Sequence, residues 1–290
     1  MNNAILKSGE RVGIVSCADF LSDNNQEEKA LNYLRSLGLD LIISEHAVDP
    51  AARAESLMTF YRDRQIQAVF DISGGYGDLE VLDKLDFDII KTNPKPFISL
   101  DEITALQNGI TAQTGIVTYN GFYLPNCELP SGTGAQHFRN FFFEERNTLC
   151  KYFGGNVVSA GTTYGRLIGG NLEALCSLSD TGNLPPLNGK IIFLTENGKI
   201  PLQIEWMLNK LEGLPGFDTV RGVIFGTFAN CQSPENDETT LDSVIRNFAR
   251  RHRIPIVKDF PCGRISERYS LPIGKNVMLY TANLRCCIEA

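Results

Sequence analysis

Residues 96–106 read Pro96-Phe97-Ile98-Ser99-Leu100-Asp101-Glu102-Ile103-Thr104-Ala105-Leu106, and this stretch decides the fold. Its apolar first half predicts a buried strand, and its second half predicts a helix that begins after a sharp turn. Such a turn presents one side chain to a crevice at the carboxyl end of the strand, where the amides of the next helix also point. Hydrolases place a nucleophile at this position, and this chain has Asp101.

The sequence around this stretch alternates between strand and helix patterns. Strands are predicted at 11–16, 41–43, 67–72, 97–100 and 116–119, and helices at 27–37, 51–64, 79–85 and 102–108. A glycine turn, Ser73-Gly74-Gly75-Tyr76-Gly77, follows the third of these strands. The alternation predicts an α/β fold with a doubly wound, mostly parallel sheet, helices on both faces, and a ligand crevice at the carboxyl ends of the strands.

The second half of the chain has a different organisation. The chain has 290 residues, which is at the upper limit of what a single hydrophobic core usually supports, so two domains are expected. We predict an N-terminal domain over 1–125, a linker or bridging segment with one helix over 126–164, and a C-terminal domain over 165–290. The predicted helices after residue 125 are 135–145, 172–178, 202–211 and 240–252, and the predicted strands are 190–194, 220–228, 254–258, 277–280 and 284–288.

Composition and charge exclude several classes of function. The net charge of −7 argues against nucleic acid or an anionic membrane surface as the partner. The chain begins without the apolar run of a secretory signal and has no stretch near the ~20 apolar residues of a membrane span, so a cytoplasmic protein is expected. The eight cysteines and three histidines lack metal-ligand spacing, so neither a metal nor another cofactor is predicted.

Several segments in order along the chain together resemble the LD-carboxypeptidase and microcin-immunity serine peptidases. These segments are Gly9-Glu10-Arg11-Val12-Gly13-Ile14-Val15, Ser73-Gly74-Gly75-Tyr76-Gly77, 97–106, Gly115-Ile116-Val117-Thr118, Leu167-Ile168-Gly169-Gly170-Asn171-Leu172, Ile192-Phe193-Leu194 with Ile204-Glu205-Trp206-Met207-Leu208, and Phe260-Pro261-Cys262-Gly263 with Leu271-Pro272-Ile273-Gly274. The resemblance implies an N-terminal α/β domain, a C-terminal mixed α/β domain and a crevice between them. It also implies a small peptide or amino-acid ligand in that crevice and a homodimer.

The family works through a Ser-Glu-His triad, and the resemblance places different residues at all three positions. The serine falls on Asp101, and the aspartate that follows it falls on Glu102. The glutamate falls on Thr195, with Glu196 one residue further on, and the histidine falls on Arg264. A carboxylate has no proton to give up at neutral pH, and a guanidinium stays charged and cannot act as a base. Serine-type catalysis is therefore predicted to be absent.

The replaced positions allow more than one interpretation. Asp101 is either an N-cap for the helix that starts at Glu102, or an acid/base group together with Glu102 and Glu196. Asp101 and Arg264 either form an ion pair across the crevice, or bind the ammonium and the carboxylate of a zwitterionic ligand. Cys262 is either a buried apolar residue or a thiol activated by Arg264.

Three other features are interpreted in the same way. The resemblance implies an oxyanion-binding role for the amides of Gly74, Gly75 and Gly77, and the alternative is a tight turn that needs positive φ. Asn171 either lines the crevice or caps the next helix. The single tryptophan, Trp206, is predicted to pack into the core of its helix.

The sequence therefore predicts a protein of LD-carboxypeptidase type in which the serine triad has been replaced. Its function would be that of a peptide-binding, amino-acid-binding or regulatory relative of the enzymes. The alternative is an active carboxypeptidase or amidase that uses a different set of residues around Asp101, Glu102, Glu196 or Cys262.

Overall fold

Two β-sheets organise the molecule. Its structure is a computed structural model, which describes residues 4–19, 24–122, 131–144, 151–235, 238–282 and 285–289. The strands, in chain order, are β1 (Arg11–Val15), β2 (Asp40–Ile43), β3 (Ile66–Asp71), β4 (Phe97–Ser99), β5 (Thr118–Asn120), β6 (Lys151–Phe153), β7 (Asn156–Ser159), β8 (Gly161–Asn171), β9 (Lys190–Asn197), β10 (Gly222–Ala229), β11 (Ile256–Lys258), β12 (Leu271–Ile273), β13 (Asn276–Ala282) and β14 (Arg285–Glu289). The helices are α1 (Asn24–Ser36), α2 (Pro50–Arg62), α3 (Asp78–Leu82), α4 (Phe87–Thr92), α5 (Thr104–Thr114), α6 (Gly132–Phe143), α7 (Leu172–Leu178), α8 (Pro201–Glu212) and α9 (Leu241–Arg251). Within the described ranges, no helix has the length and apolar content that crossing a bilayer requires.

The first sheet contains the strand that leads into the sharp turn. Its order is β12-β5-β4-β3-β1-β2, with β1 to β5 parallel to their neighbours and β12 antiparallel to β5. The central strand β4 is buried along its whole length, as expected for an apolar strand covered on both faces. The structure confirms the predicted, mostly parallel sheet.

The second sheet is mixed. Its order is β6-β14-β13-β8-β9-β10-β11-β7, in which β8 to β11 are parallel and the outer strands are antiparallel. The strand β9 is buried from Ile191 to Glu196, so its end delivers Thr195 and Glu196 to the interior. The mixed α/β character that the resemblance implied for this part of the chain is confirmed.

Some elements were not predicted from local patterns. These are α4, β6, β7, β8 and β12, and the three shortest strands among them pair with segments distant in sequence. The predicted bridging segment 126–164 supplies β6, β7 and the start of β8 to the second sheet. Its residues 126–130 and 145–150 lie outside the described residues, so the three-part division of the chain stays a prediction.

The prediction for Trp206 is wrong, because its side chain is 66% exposed on the outer face of α8. Residues in an α-helix follow one another at about 100°, so a residue two positions after Ile204 lies about 200° around the helix. Ile204 and Leu208 are fully buried. The helix and its buried face therefore exist as the sequence indicates, and Trp206 lies on the opposite side.

The two sheets are joined where β8 meets α5. The side chain of Asn108 donates to Gly169 O at 2.8 Å and accepts from Gly169 N at 3.1 Å. Thr104 Oγ1 accepts from Asn171 N at 2.9 Å. A Cβ atom at Gly170 would lie 2.1 Å from Thr104 Oγ1, so only glycine allows this approach. The start of α5 and the end of β8 are therefore held together, and the crevice forms beside this contact.

Candidate functional site

A crevice of ≈ 590 Å³ lies at the carboxyl ends of the central strands of the two sheets. Five of the residues predicted to form a site line it, namely Gly75, Gly77, Glu102, Asn171 and Glu196. The other predicted residues, Gly74, Asp101, Thr195, Arg264 and Cys262, do not belong to the lining of this crevice. The sequence-based candidates thus divide into a group that faces the crevice and a group behind it.

Asp101 lies at the turn after β4, where the sequence analysis placed it. It is the first residue of a 3-10 turn, Asp101–Ile103, that leads into α5, and its side chain makes no capping hydrogen bond. The prediction that Asp101 is an N-cap is therefore wrong, because the tight turn delays the helix to Thr104 and turns the carboxylate inward. Asp101 is 3% exposed, and its Oδ1 has no hydrogen-bond partner among the described residues.

The start of α5 is capped by a residue that the sequence analysis did not single out. Asp78 Oδ2 accepts hydrogen bonds from Ala105 N at 3.0 Å and Leu106 N at 3.2 Å. Burial raises the pKa of Asp78 to about 7, and the amide of Leu106 opposes this shift. Asp78 directly follows the glycine turn, but its partners are remote in sequence, so local spacing could not reveal the contact.

Asp101 is surrounded by groups that act on its charge. Burial raises the pKa of Asp101 to about 6, while the nearby Thr195 hydroxyl and Arg264 guanidinium lower it. Thr195 is fully buried, and its Oγ1 does not meet hydrogen-bond geometry with the carboxylate or with another described group. Asp101 can therefore exchange a proton near neutral pH, but the structure places it behind the lining of the crevice.

The predicted ion pair between Asp101 and Arg264 is replaced by a pair one residue further along the chain. Arg264 Nη1 lies 2.5 Å from Glu102 Oε1. The second oxygen of Glu102 accepts a hydrogen bond from the amide of Gly75. Glu102 has the longer side chain and faces the crevice, whereas Asp101 points toward Gly263, where a Cβ atom would lie 3.3 Å from its Oδ2.

Glu196 is held by three hydrogen bonds. Its Oε1 accepts from Asn171 Nδ2 at 2.7 Å and Asn197 N at 2.9 Å, and its Oε2 accepts from Glu173 N at 3.0 Å. Burial raises the pKa of Glu196, and the amide of Asn197 opposes the shift. These contacts fix the carboxylate at the first turn of α7, where a negative charge is favourable.

Both interpretations of Asn171 are confirmed. Its side chain caps α7 by accepting from Ala174 N at 2.9 Å, and it also lines the crevice. The glycine turn likewise needs its glycines, because Gly75 and Gly77 have φ of 98° and 106°. At Gly75 the amide is already bound to the carboxylate of Glu102.

Cys262 has the environment of a structural thiol. It is fully buried, and burial together with the nearby charge of Asp101 raises the thiol pKa well above its ordinary value. A Cβ atom at Gly226 would lie 2.4 Å from Cys262 Sγ, so the thiol is packed directly against a strand. A high pKa and close packing favour the buried apolar interpretation over a nucleophile.

None of the three histidines of the chain belongs to the lining of the crevice. His46 Nε2 is 3.3 Å from Glu27 Oε1, and His137 packs against Tyr269 with ring centroids 4.6 Å apart. His252 packs against Phe248 at 4.6 Å between ring centroids. Since these are all the histidines in the sequence, no imidazole is placed to accept a proton in the crevice.

Two family models match most of the chain. The model of the LD-carboxypeptidase N-terminal domain matches residues 12–121, and that of the LD-carboxypeptidase C-terminal domain matches residues 164–279. The chain is 27% identical over 301 residues to a Bacillus subtilis (strain 168) protein named "Probable murein peptide carboxypeptidase", covering 98% of this chain and 93% of the relative. It is 25% identical over 263 residues to the microcin C7 self-immunity protein MccF of Escherichia coli, covering 77% and 73%.

Solved structures have the same fold. An MccF-like protein from Bacillus anthracis str. Ames superposes with a TM-score of 0.86 at 23% identity, covering 100% of this chain and 98% of that protein. A muramoyltetrapeptide carboxypeptidase from Oxalobacter formigenes superposes with a TM-score of 0.86 at 20% identity, covering 96% and 98%. At these identities the likeness concerns the fold.

Proposed function

The chain belongs to the LD-carboxypeptidase family, and from that premise we propose that it binds a small peptide or amino acid in the crevice without hydrolysing it by a serine mechanism. The observation that carries the proposal is the buried carboxylate of Asp101 at the turn to which the resemblance assigns the family's serine. A serine mechanism needs a hydroxyl within hydrogen-bond reach of a neutral imidazole. All three histidines are absent from the crevice lining and contact other residues, which supports the loss of this step.

The dimensions of the crevice support a small ligand. Its volume of ≈ 590 Å³ is within the range of about 300–1,000 Å³ that small-molecule sites occupy. Structures of MccF have been solved with adenosine monophosphate and with aspartyl sulfamoyl adenosine. That these proteins of the same fold bind small molecules supports a small ligand for this chain as well.

A second candidate function is a hydrolase that uses carboxyl groups. The free oxygen of Asp101 and its pKa of about 6 favour this candidate, because a general acid or base works best with a pKa near the working pH. Against it, Asp101 lies outside the lining of the crevice, and both oxygens of Glu102 and Glu196 are already bonded. Binding without turnover is therefore the better-supported proposal.

Incubation with murein tetrapeptide tests the proposal. The purified protein is expected to bind the peptide in a calorimetric titration and to release no terminal D-alanine, because no hydroxyl–imidazole pair is available. The Oxalobacter formigenes carboxypeptidase under the same conditions is the positive control. Turnover near that of the control would contradict the proposal. Turnover that is lost in Asp101→Asn would favour the carboxyl-based hydrolase instead.

A further inference from the structure

Glu102 makes the two contacts that a bound carboxylate would make. We propose that the amide of Gly75 and the guanidinium of Arg264 form a binding site for a ligand carboxylate, and that Glu102 occupies this site until a ligand displaces it. The proposal rests on the proposed binding function and names the group that the crevice recognises. The carboxylate of Glu102 would then compete with the carboxylate of the ligand for these two donors.

The geometry at Glu102 carries the inference. Arg264 Nη1 donates to Oε1 at 2.5 Å, and the Gly75 amide donates to Oε2. These donors come from the glycine turn after β3 and from the loop after β11, and they meet on one carboxylate. A guanidinium combined with a backbone amide in a turn is a donor set that proteins use to bind carboxylates, including the C-termini of peptides.

The position of Glu102 allows exchange with a ligand. Gly75 and Glu102 both line the crevice, and the side chains of Glu102 and Arg264 are 26% and 16% exposed. Rotation about the side-chain bonds of Glu102 would uncover both donors without movement of the backbone. Glu196 is different, because its carboxylate accepts three hydrogen bonds and the residue is only 3% exposed. Two of the donors are backbone amides, one on its own strand β9 and one on α7.

The charge of the rest of the lining narrows the ligand class. Besides Glu102, four acidic side chains line the crevice, Asp78, Glu80, Glu173 and Glu196. Lys199 is the one basic residue in the described lining, and its Nζ lies 2.6 Å from Glu173 Oε1. A ligand that places a carboxylate at Gly75 and Arg264 is therefore favoured when it also has an amino group. A short peptide with both termini free meets this requirement.

The test compares two probes, D-alanyl-D-alanine and its C-terminal carboxamide, by calorimetric titration. Glu102→Ala removes the internal carboxylate, so it is expected to bind the dipeptide at least about tenfold more tightly than the unaltered protein does. The carboxamide is expected to show no such gain. Adding Arg264→Gln to Glu102→Ala should cancel the gain for the dipeptide.

Glu80→Ala is the matched control. It removes the same charge from the lining of the same crevice, but Glu80 is exposed and binds neither Gly75 nor Arg264. Because the acidic lining favours the amino group of the dipeptide, Glu80→Ala is expected to give no gain in dipeptide affinity. An equal gain in Glu80→Ala and Glu102→Ala would overturn the proposal, because relief of general repulsion would then explain both.

A second variant keeps the proposal falsifiable if Glu102→Ala does not fold. Glu102→Gln preserves the shape and an acceptor for the Gly75 amide but weakens the contact with Arg264, so a dipeptide gain of about threefold or more is expected. Unchanged or weaker dipeptide affinity in a folded Glu102 variant, or an equal gain for the carboxamide, would overturn the proposal. Hydrolysis of murein tetrapeptide by the unaltered protein would contradict only the absence of catalysis, because the affinity comparison does not depend on turnover.

Discussion

The resemblance assigns the family's serine to the position of Asp101 and its glutamate to the position of Thr195, so on this assignment the hydroxyl and the carboxylate are exchanged in this chain. In this chain the carboxylate is at the turn and the hydroxyl is on β9, and each has a buried oxygen without a partner among the described residues. The polar groups are retained, but the carboxylate at the turn cannot serve as the hydroxyl nucleophile.

Restoring the three family residues should restore chemistry. The triple variant Asp101→Ser, Thr195→Glu, Arg264→His is expected to release D-alanine from murein tetrapeptide at least about 100-fold faster than Asp101→Ser alone, because the single variant has no base. Product release followed by chromatography measures the two rates. A folded triple variant with no more activity than Asp101→Ser would show that these positions do not correspond to the triad.

Asp101 also makes the stability of the fold depend on pH. Burial raises its pKa from 3.8 to about 6, so the folded protein holds this proton more tightly than the unfolded chain does. The stabilising contribution is fully present below pH 3.8 and is lost as the pH rises through about 6. Asp101→Asn should therefore raise the free energy of unfolding at pH 7.5 by up to about 3 kcal/mol, and the difference should narrow toward pH 4.

Urea unfolding between pH 4 and pH 7.5 measures this effect. Asp218→Asn is the control, because Asp218 is exposed and the same substitution there should leave stability within about 0.5 kcal/mol at every pH. A difference between Asp101→Asn and the unaltered protein that is constant over the whole pH range would rule out titration of Asp101 as the cause.

At the scale of elements, the contact between α5 and β8 determines where the crevice opens. Asn108 satisfies both backbone groups of Gly169, and Thr104 receives the amide of Asn171. Asn171 in turn caps α7 and binds Glu196, so one wall of the crevice depends on the way that α5 is seated. The functional side chains are therefore positioned by backbone contacts rather than by their own loops.

Asn108→Ala should destabilise the protein through this contact. The substitution leaves the N–H and C=O of Gly169 buried without their partner, at a cost of about 2–4 kcal/mol in the free energy of unfolding. Urea unfolding at pH 7.5 is the measurement. Asn188→Ala is the matched control, because Asn188 is exposed and its loss should cost less than about 0.5 kcal/mol. Equal losses for the two variants would contradict a special role for Asn108.

At the scale of the whole molecule, the sequence predicts the parts of the fold that have a strong period. The helix α7 was predicted with its observed ends, and β9 and α8 were predicted within three residues, because their apolar positions repeat regularly. Strands such as β6 and β12 have only three residues and lie at or near sheet edges. Their existence depends on distant partners, so no local pattern reveals them.

The candidate site follows the same division. Sequence spacing located Asp101, Asn171 and the glycine turn, because each follows a recognisable strand or precedes a helix. It did not predict that Arg264 pairs with Glu102, or that Asp78 caps α5, since both contacts join segments that are brought together only by folding. The sequence therefore predicts where the site residues lie along the chain, whereas their contact partners are determined by the tertiary fold.

The oligomeric state stays a prediction from the resemblance. The cytoplasmic location stays a prediction from the sequence. We expect a homodimer, with a light-scattering mass of about twice that of one chain after size-exclusion chromatography. The measurement should be made over a hundredfold range of protein concentration, because a dimer that dissociates on dilution shifts toward the mass of one chain. The mass of a single chain at all concentrations would contradict the prediction.

The strand β12 has a consequence for how this protein is made. It is supplied by residues 271–273, yet it pairs with β5 and forms the edge strand of the first sheet. During synthesis β5 leaves the ribosome long before β12 does. Until β12 has been made, the outer edge of β5 has no partner strand, and a strand of another nascent chain can pair there. Premature termination before residue 271 would leave that side open permanently, which makes truncated products of this chain candidates for aggregation and for degradation by quality-control proteases.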